Sequence, residues 1–123
     1  MVCGEGTFDE ISICGATKVS HLMGGGVTTF YMTPEEYGFK RAAQMDLRGG
    51  SARENALIIR TILDGEKGPK RDMVLLNAAA AFVTAGLDND FKAGVERAKG
   101  SIDSGRARGK LDSLVNFTQA CKA

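Results

Sequence analysis

The amino-acid sequence predicts an α+β fold in which short antiparallel strands precede about four helices, with strands and a hairpin over residues 1–32 and helices over 33–123. Three observations predict it. The first third holds the β-branched and aromatic segments "ISI" from Ile11, "TKVSHLM" and "VTTFYM", which alternate in character. Gly24, Gly25 and Gly26 separate the last two and fit a hairpin turn that needs positive φ. The remainder repeats helix-start signals followed by apolar residues three and four apart.

In "TPEE", Thr33 is placed to cap a helix, Pro34 to occupy its first position and Glu36 to reach back to the cap, with Gly38 ending a short element. "KRAAQMDLRGG" shows no helical period and reads as loop or a broken turn. "SARE" repeats the capping box with Ser51 and Glu54, and Ala52, Ala56, Ile59 and Ile62 share one face of a helix that runs to about Asp64 and ends at Gly65. Pro69 starts the next helix and Gly86 stops it; its apolar middle, "MVLLNAAAAFV", predicts burial on every side. Asp88 or Asn89 caps a third helix carrying Phe91, Val95, Ala98 and Ile102, broken at Ser104 and Gly105. The last helix aligns Ala107, Leu111, Leu114, Val115 and Thr118. So small a sheet leaves an outer edge open to pairing.

A chain of 123 residues suits one domain. Sixteen basic against fifteen acidic residues leave a net charge of +1, which disfavours nucleic acid and anionic membranes as partners. With 43% hydrophobic and 25% charged residues the composition is that of a soluble globular protein. Its longest apolar run is too short for a bilayer, and Met1 is not followed by a secretory signal pattern, so a cytoplasmic location is expected. Cys3, Cys14 and Cys121 are an odd number with no CxxC pair and a single histidine, which reads as free thiols and not a zinc site.

The candidate functional residues each carry two readings. Asp9 and Glu10, in "GEGTFDEIS", are either a solvated turn or a pair of carboxylates for a magnesium ion, which the flanking Gly4 and Gly6 would let the backbone aim at one site. Gly49 and Gly50 lead into a helix whose first amides could receive an anion, but Ser51 and Glu54 compete for them. "GGG" at 24–26 lacks the spacing of a phosphate loop. His21, the single histidine, is the one candidate for proton transfer but stands in a predicted strand with no nucleophile at a recognisable spacing. Asn77, a polar amide in an apolar helix, must bond either neighbouring backbone or a ligand. "RARGK" at 106–110 is a solvated basic face or a contact for an acidic partner.

Taken in order, "FDEISICGATKV", "PEEYGF", "DLRGG", "ENALIIRTILDGEKGPKRDMVLLNAAAAF" and "AKGSIDSG" resemble the C-terminal part of the anthranilate phosphoribosyltransferases over nearly the whole chain. The resemblance implies the α/β phosphoribosyl-transfer domain shared with nucleoside phosphorylases, of which this would be a single C-terminal segment. It also implies a reaction of tryptophan biosynthesis, in which phosphoribosyl pyrophosphate and anthranilate give N-phosphoribosyl anthranilate and pyrophosphate. In the family the Asp-Glu pair before "IS" binds Mg²⁺, a role that falls on Asp9 and Glu10.

No Gly-Thr-Gly-Gly-Asp loop, Lys-His-Gly-Asn run or anthranilate-pocket arginine is recognised, so the resemblance assigns this segment no catalytic residue and names no substrate-binding residue. It implies an upstream portion of the same enzyme as partner and inactivity of these 123 residues alone. Cys3, Thr7 and His21 stand where the family has histidine, glycine and an acidic residue. The alternative from another class is a stand-alone module that uses the exposed sheet edge and apolar face to pair with itself or with another protein.

Overall fold

A computed structural model describes residues 1–5 and 9–121. Strands β1 (Val2–Gly4), β2 (Thr17–Met23) and β3 (Gly26–Met32) are followed by 3-10 turns at Pro34–Tyr37 and Gln44–Leu47. Four helices then follow, α1 (Ala52–Leu63), α2 (Pro69–Thr84), α3 (Phe91–Asp103) and α4 (Arg106–Ala120). The strands pair antiparallel in the order β1-β2-β3, so the α+β class expected from the sequence is the one adopted.

The first strand is not the one expected. "ISI" is buried but belongs to no ladder, and Val2–Gly4 pairs with β2 instead. The reason lies in where its backbone groups go. The Ile11 amide and carbonyl bond the Asn77 side chain, the Ser12 amide donates to Thr17 Oγ1 at 3.0 Å, and the Ile13 carbonyl accepts from the Ala42 amide at 3.2 Å. Side chains and a loop take the bonds that a neighbouring strand would have made.

The hairpin follows the glycines. Met23 pairs with Gly26 across Gly24 (φ 58°) and Gly25 (φ 81°), and two successive positive φ values are what a two-residue type I′ turn requires. Thr17, Val19 and Met32 face the core on one side of the sheet, while Lys18, Tyr31, Leu22 and Val27 face outward. Among the described residues no strand pairs with the outer edge of β3.

Helix α2 is central without being enclosed. Leu75, Leu76 and Ala79 pack with Val95, Ala98 and Ile102 of α3 and with Ile11 and Ile13, yet Val74 on the opposite side is 41% exposed. The expected burial on every side therefore fails. Helix α1, which flanks that side, has no buried residue, and a groove separates the two.

The capping expectations hold at Thr33 and Ser51, where Glu36 and Glu54 carboxylates accept the cap-residue amides at 2.8 and 2.7 Å. The cap of α3 is Asp90, whose Oδ1 accepts from the Ala93 amide at 2.9 Å. Asp88 and Asn89, the caps expected, precede the cap position, and Asp88 pairs with Arg97 at 2.7 and 3.0 Å. Arg71, 4% exposed, ties the helices together by donating to the Gly65 carbonyl at the end of α1 and to Asp103 at the end of α3.

At the α2–α3 contact Gly94 is required by space, since a Cβ there would lie 2.9 Å from both Cα and Cβ of Ala79. Gly94→Ala gains about 1 kcal/mol of helix propensity. Parting two helix backbones costs about 1–3 kcal/mol, and a wall that includes a Cα atom puts the cost at the upper end. A net loss of about 1–2 kcal/mol is expected, measured by urea unfolding of the intact protein containing this chain.

Candidate metal-binding site at the Asp9–Glu10 turn

Asp9 and Glu10 are exposed at a bend that leads directly into the buried segment 11–13. No ion pair among the described residues involves either carboxylate. Their backbone is held from the C-terminal side. The Ile11 amide donates to Asn77 Oδ1 at 2.9 Å, and Asn77 Nδ2 donates to the Ile11 carbonyl at 2.9 Å and to the Met73 carbonyl at 3.0 Å. The amide orientation follows from this set, because a reversed side chain would set donor against donor at Ile11. Both Nδ2 hydrogens are used, so the polar residue foreseen as a problem in an apolar helix is satisfied by backbone, mostly from a segment 66 positions away. Leaving the two Ile11 groups unpaired would cost about 1–3 kcal/mol each.

Glu10 and Asn77 line a groove of about 500 Å³ between α1 and α2. Its floor is apolar, from Leu47, Ile58, Ile62 and Met73, and its polar margin includes Asn55 and Lys70. The Lys70 ammonium donates to the Asp46 and Arg48 carbonyls at 2.9 and 2.8 Å, which fixes the loop before α1. Asn55 holds the same loop by accepting from the Gly50 amide and donating to the Gly50 carbonyl.

The start of α1 is occupied by its own side chains, as the capping reading expects. Ser51 Oγ donates to the Glu54 carboxylate at 2.7 Å and accepts from the Glu54 amide at 3.4 Å. These bonds, first from the Ser51 hydroxyl and then from its amide, hold the Glu54 carboxyl below the usual glutamate range. A negative charge fixed there repels an incoming anion.

The other candidates stay apart from this turn. His21 lies on β2 opposite Thr28, and "GGG" forms the hairpin end. Arg108 of the "RARGK" segment pairs with Asp64 and Asp112. Cys3, Cys14 and Cys121 are free thiols, with Cys3 on β1 opposite Lys18. Gly6 and Thr7 lie outside the described residues. Among the described residues no three of His, Cys, Asp and Glu cluster as a metal site, and no helix is long and apolar enough to cross a membrane. The clamp from Asn77 to Ile11 was not foreseeable in its partner, since the only signal was a lone amide in an apolar run.

Residues 1–108 match the family model described as glycosyl transferase family, a/b domain. The chain belongs to this family. Its glycosyl transferase relatives include the anthranilate phosphoribosyltransferase of Desulfatibacillum aliphaticivorans, 50% identical over 97% of this chain and 35% of that protein. That of Desulfosudis oleivorans is 48% identical over 98% of this chain and 36% of that protein. Among solved structures, anthranilate phosphoribosyltransferase from Thermus thermophilus superposes with a TM-score of 0.86 at 40% identity, covering 96% of this chain and 35% of that one. The Saccharomyces cerevisiae enzyme in complex with phosphoribosyl pyrophosphate and Mg gives 0.85 at 26% identity, covering 97% and 34%. The chain thus spans about a third of the length of the curated relatives it matches.

The Glu54 carboxyl, held low in the folded state, contributes stability that is present above the ordinary glutamate pKa of about 4.3. That contribution is lost as pH falls through the lowered value. Glu54→Gln is therefore expected to lower the unfolding midpoint at neutral pH, with the gap to the parent protein closing in acid. Thermal unfolding of both proteins across that range checks it.

Proposed function

We propose that this chain forms one wall of a phosphoribosyl-transfer site, in an enzyme that moves the phosphoribosyl group of phosphoribosyl pyrophosphate to the amino group of anthranilate and releases pyrophosphate. We take residues 1–123 as a single segment of one catalytic domain, with the substrate-positioning groups supplied by a further, upstream portion of the same enzyme. Sequence similarity to relatives of that name supports the reading. The three free thiols fit a cytoplasmic enzyme.

The observation that carries it is the pair Asp9 and Glu10, exposed side by side on a backbone anchored to α2, with Glu10 on the margin of the α1–α2 groove. The donor set suits Mg²⁺, a hard cation held through one or two carboxylates plus substrate phosphates and waters. A third protein ligand is not needed, and none clusters with the pair among the described residues. When bound, the ion would neutralise charge that grows on pyrophosphate as the glycosidic bond breaks. The role of this chain is to hold the two carboxylates in place.

In the intact protein, Asp9→Asn with Glu10→Gln is expected to reduce turnover about 100-fold or more and to abolish Mg²⁺-dependent binding of pyrophosphate. Loss of anthranilate fluorescence and titration calorimetry measure the two. Unchanged heats would remove the metal reading. The 123 residues alone are expected to give no turnover, because the groups that create effective concentration are not among them.

A second reading rests on the outer edge of β3, beside which Leu22, Val27 and Tyr31 are 67–68% exposed. It makes the chain a self-associating module. Gel filtration over a dilution series decides: a discrete oligomer that persists on dilution supports association through this edge, and a monomer rules it out.

A further inference from the structure

We infer that Asn77 is the positioning residue of the Asp9–Glu10 carboxylates. The inference rests on the metal reading above and adds to it a device that sets the pair's geometry from the far side of the chain.

The argument is geometric. A peptide unit is planar from one Cα to the next, so the plane that contains the Ile11 N–H also contains the Cα of Glu10. Asn77 grips that plane by its N–H at 2.9 Å and grips the next plane by the Ile11 carbonyl, also at 2.9 Å. Two bonds from one planar amide fix both position and rotation where a single bond would leave a swivel. The Cα of Asp9 is one virtual bond, 3.80 Å, further on. Between the clamp and the metal-binding oxygens there remain ψ and φ of Glu10, ψ of Asp9 and the torsions of the two side chains.

The clamp is itself immobile. Its helix buries Leu75 and Leu76 immediately before Asn77 and Ala79 two residues after it, and the Nδ2 atom bonds Met73 in the same helix. The gripped residue is 1% exposed and continues into Ser12 and Ile13, equally buried. A lone hydrogen-bonded turn could have satisfied the same backbone groups. Here a residue of the central helix does so at the position next to the pair, and both Asn77 and Glu10 border one groove.

A purely structural clamp predicts lost stability and unchanged metal affinity, whereas a positioning clamp predicts lost affinity in molecules that remain folded. The test uses the intact protein and titrates Mg²⁺ in the presence of pyrophosphate by calorimetry, with Mn²⁺ and its spin-resonance line shape as a second readout. Asn77→Ala is expected to raise the metal dissociation constant about tenfold or more, the range seen when groups that orient metal ligands are removed. The Mn²⁺ spectrum is expected to broaden towards that of a less ordered site. Phe91→Leu, which loosens the core where that ring packs on Phe30 and Tyr37 and not on the α2 turn that carries Asn77, is the control and is expected to leave both readouts unchanged.

Should Asn77→Ala not fold, Asn77→Gln keeps donor and acceptor but displaces them by one methylene, and is expected to raise the constant several-fold. Metal affinity unchanged in a folded Asn77 variant overturns the inference, as does an equal loss in Phe91→Leu. Failure of the metal reading itself looks different: metal binding then survives Asp9→Asn with Glu10→Gln, whatever Asn77 does.

Discussion

The structure depends on two hydrogen bonds between a side chain and a backbone 66 residues apart, those of Asn77 with Ile11. They join the segment that follows the first strand to the helix at the centre of the molecule. Without them, Ile11 would present an unpaired amide and carbonyl inside a core, and Asn77 would place an unsatisfied amide against apolar helix. Each partner resolves the other's deficit. The surrounding packing of Ile11, Ile13, Leu75 and Leu76 is apolar and only weakly directional, so this polar pair supplies the register between segment and helix.

Local chemistry was legible in the sequence, and tertiary bookkeeping of polar groups was not. The boxes at Thr33 and Ser51, the Gly24–Gly25 turn, the start at Pro69 and the stops at Gly65, Gly86 and Gly105 all depend on residues within a few positions of one another. "ISI" was misread as a strand because burial and β-branching, which it has, do not reveal whether the ladder partner is a strand or an amide side chain. The cap of α3 lies one or two residues beyond the expected Asp88 or Asn89, because all three successive residues carry capping side chains and the sequence does not mark which of them meets the helix start. Burial of α2 on all sides was overstated because composition cannot show which neighbour packs against which face. At the candidate site, Asp9 and Glu10 were visible as chemistry, while the clamp that aims them depends on a contact across most of the chain.

The two walls of the groove differ in kind. On the α2 side the backbone is fixed by buried Leu75, Leu76 and Ala79 together with the Asn77 clamp. On the other side α1 has twelve residues and none of them buried, a length at which an isolated helix is marginal in water. Partly buried Ile62 and Leu63 hold it together with polar ties: the Ser51–Glu54 box, Asn55 on Gly50, Arg71 on Gly65 and Arg108 on Asp64. Apart from that of buried Arg71, these ties are exposed, and each is worth little. Lower local stability therefore belongs to α1 and its preceding loop. The Asp9–Glu10 backbone is attached, through Ile11 and Asn77, to the more buried of the two walls.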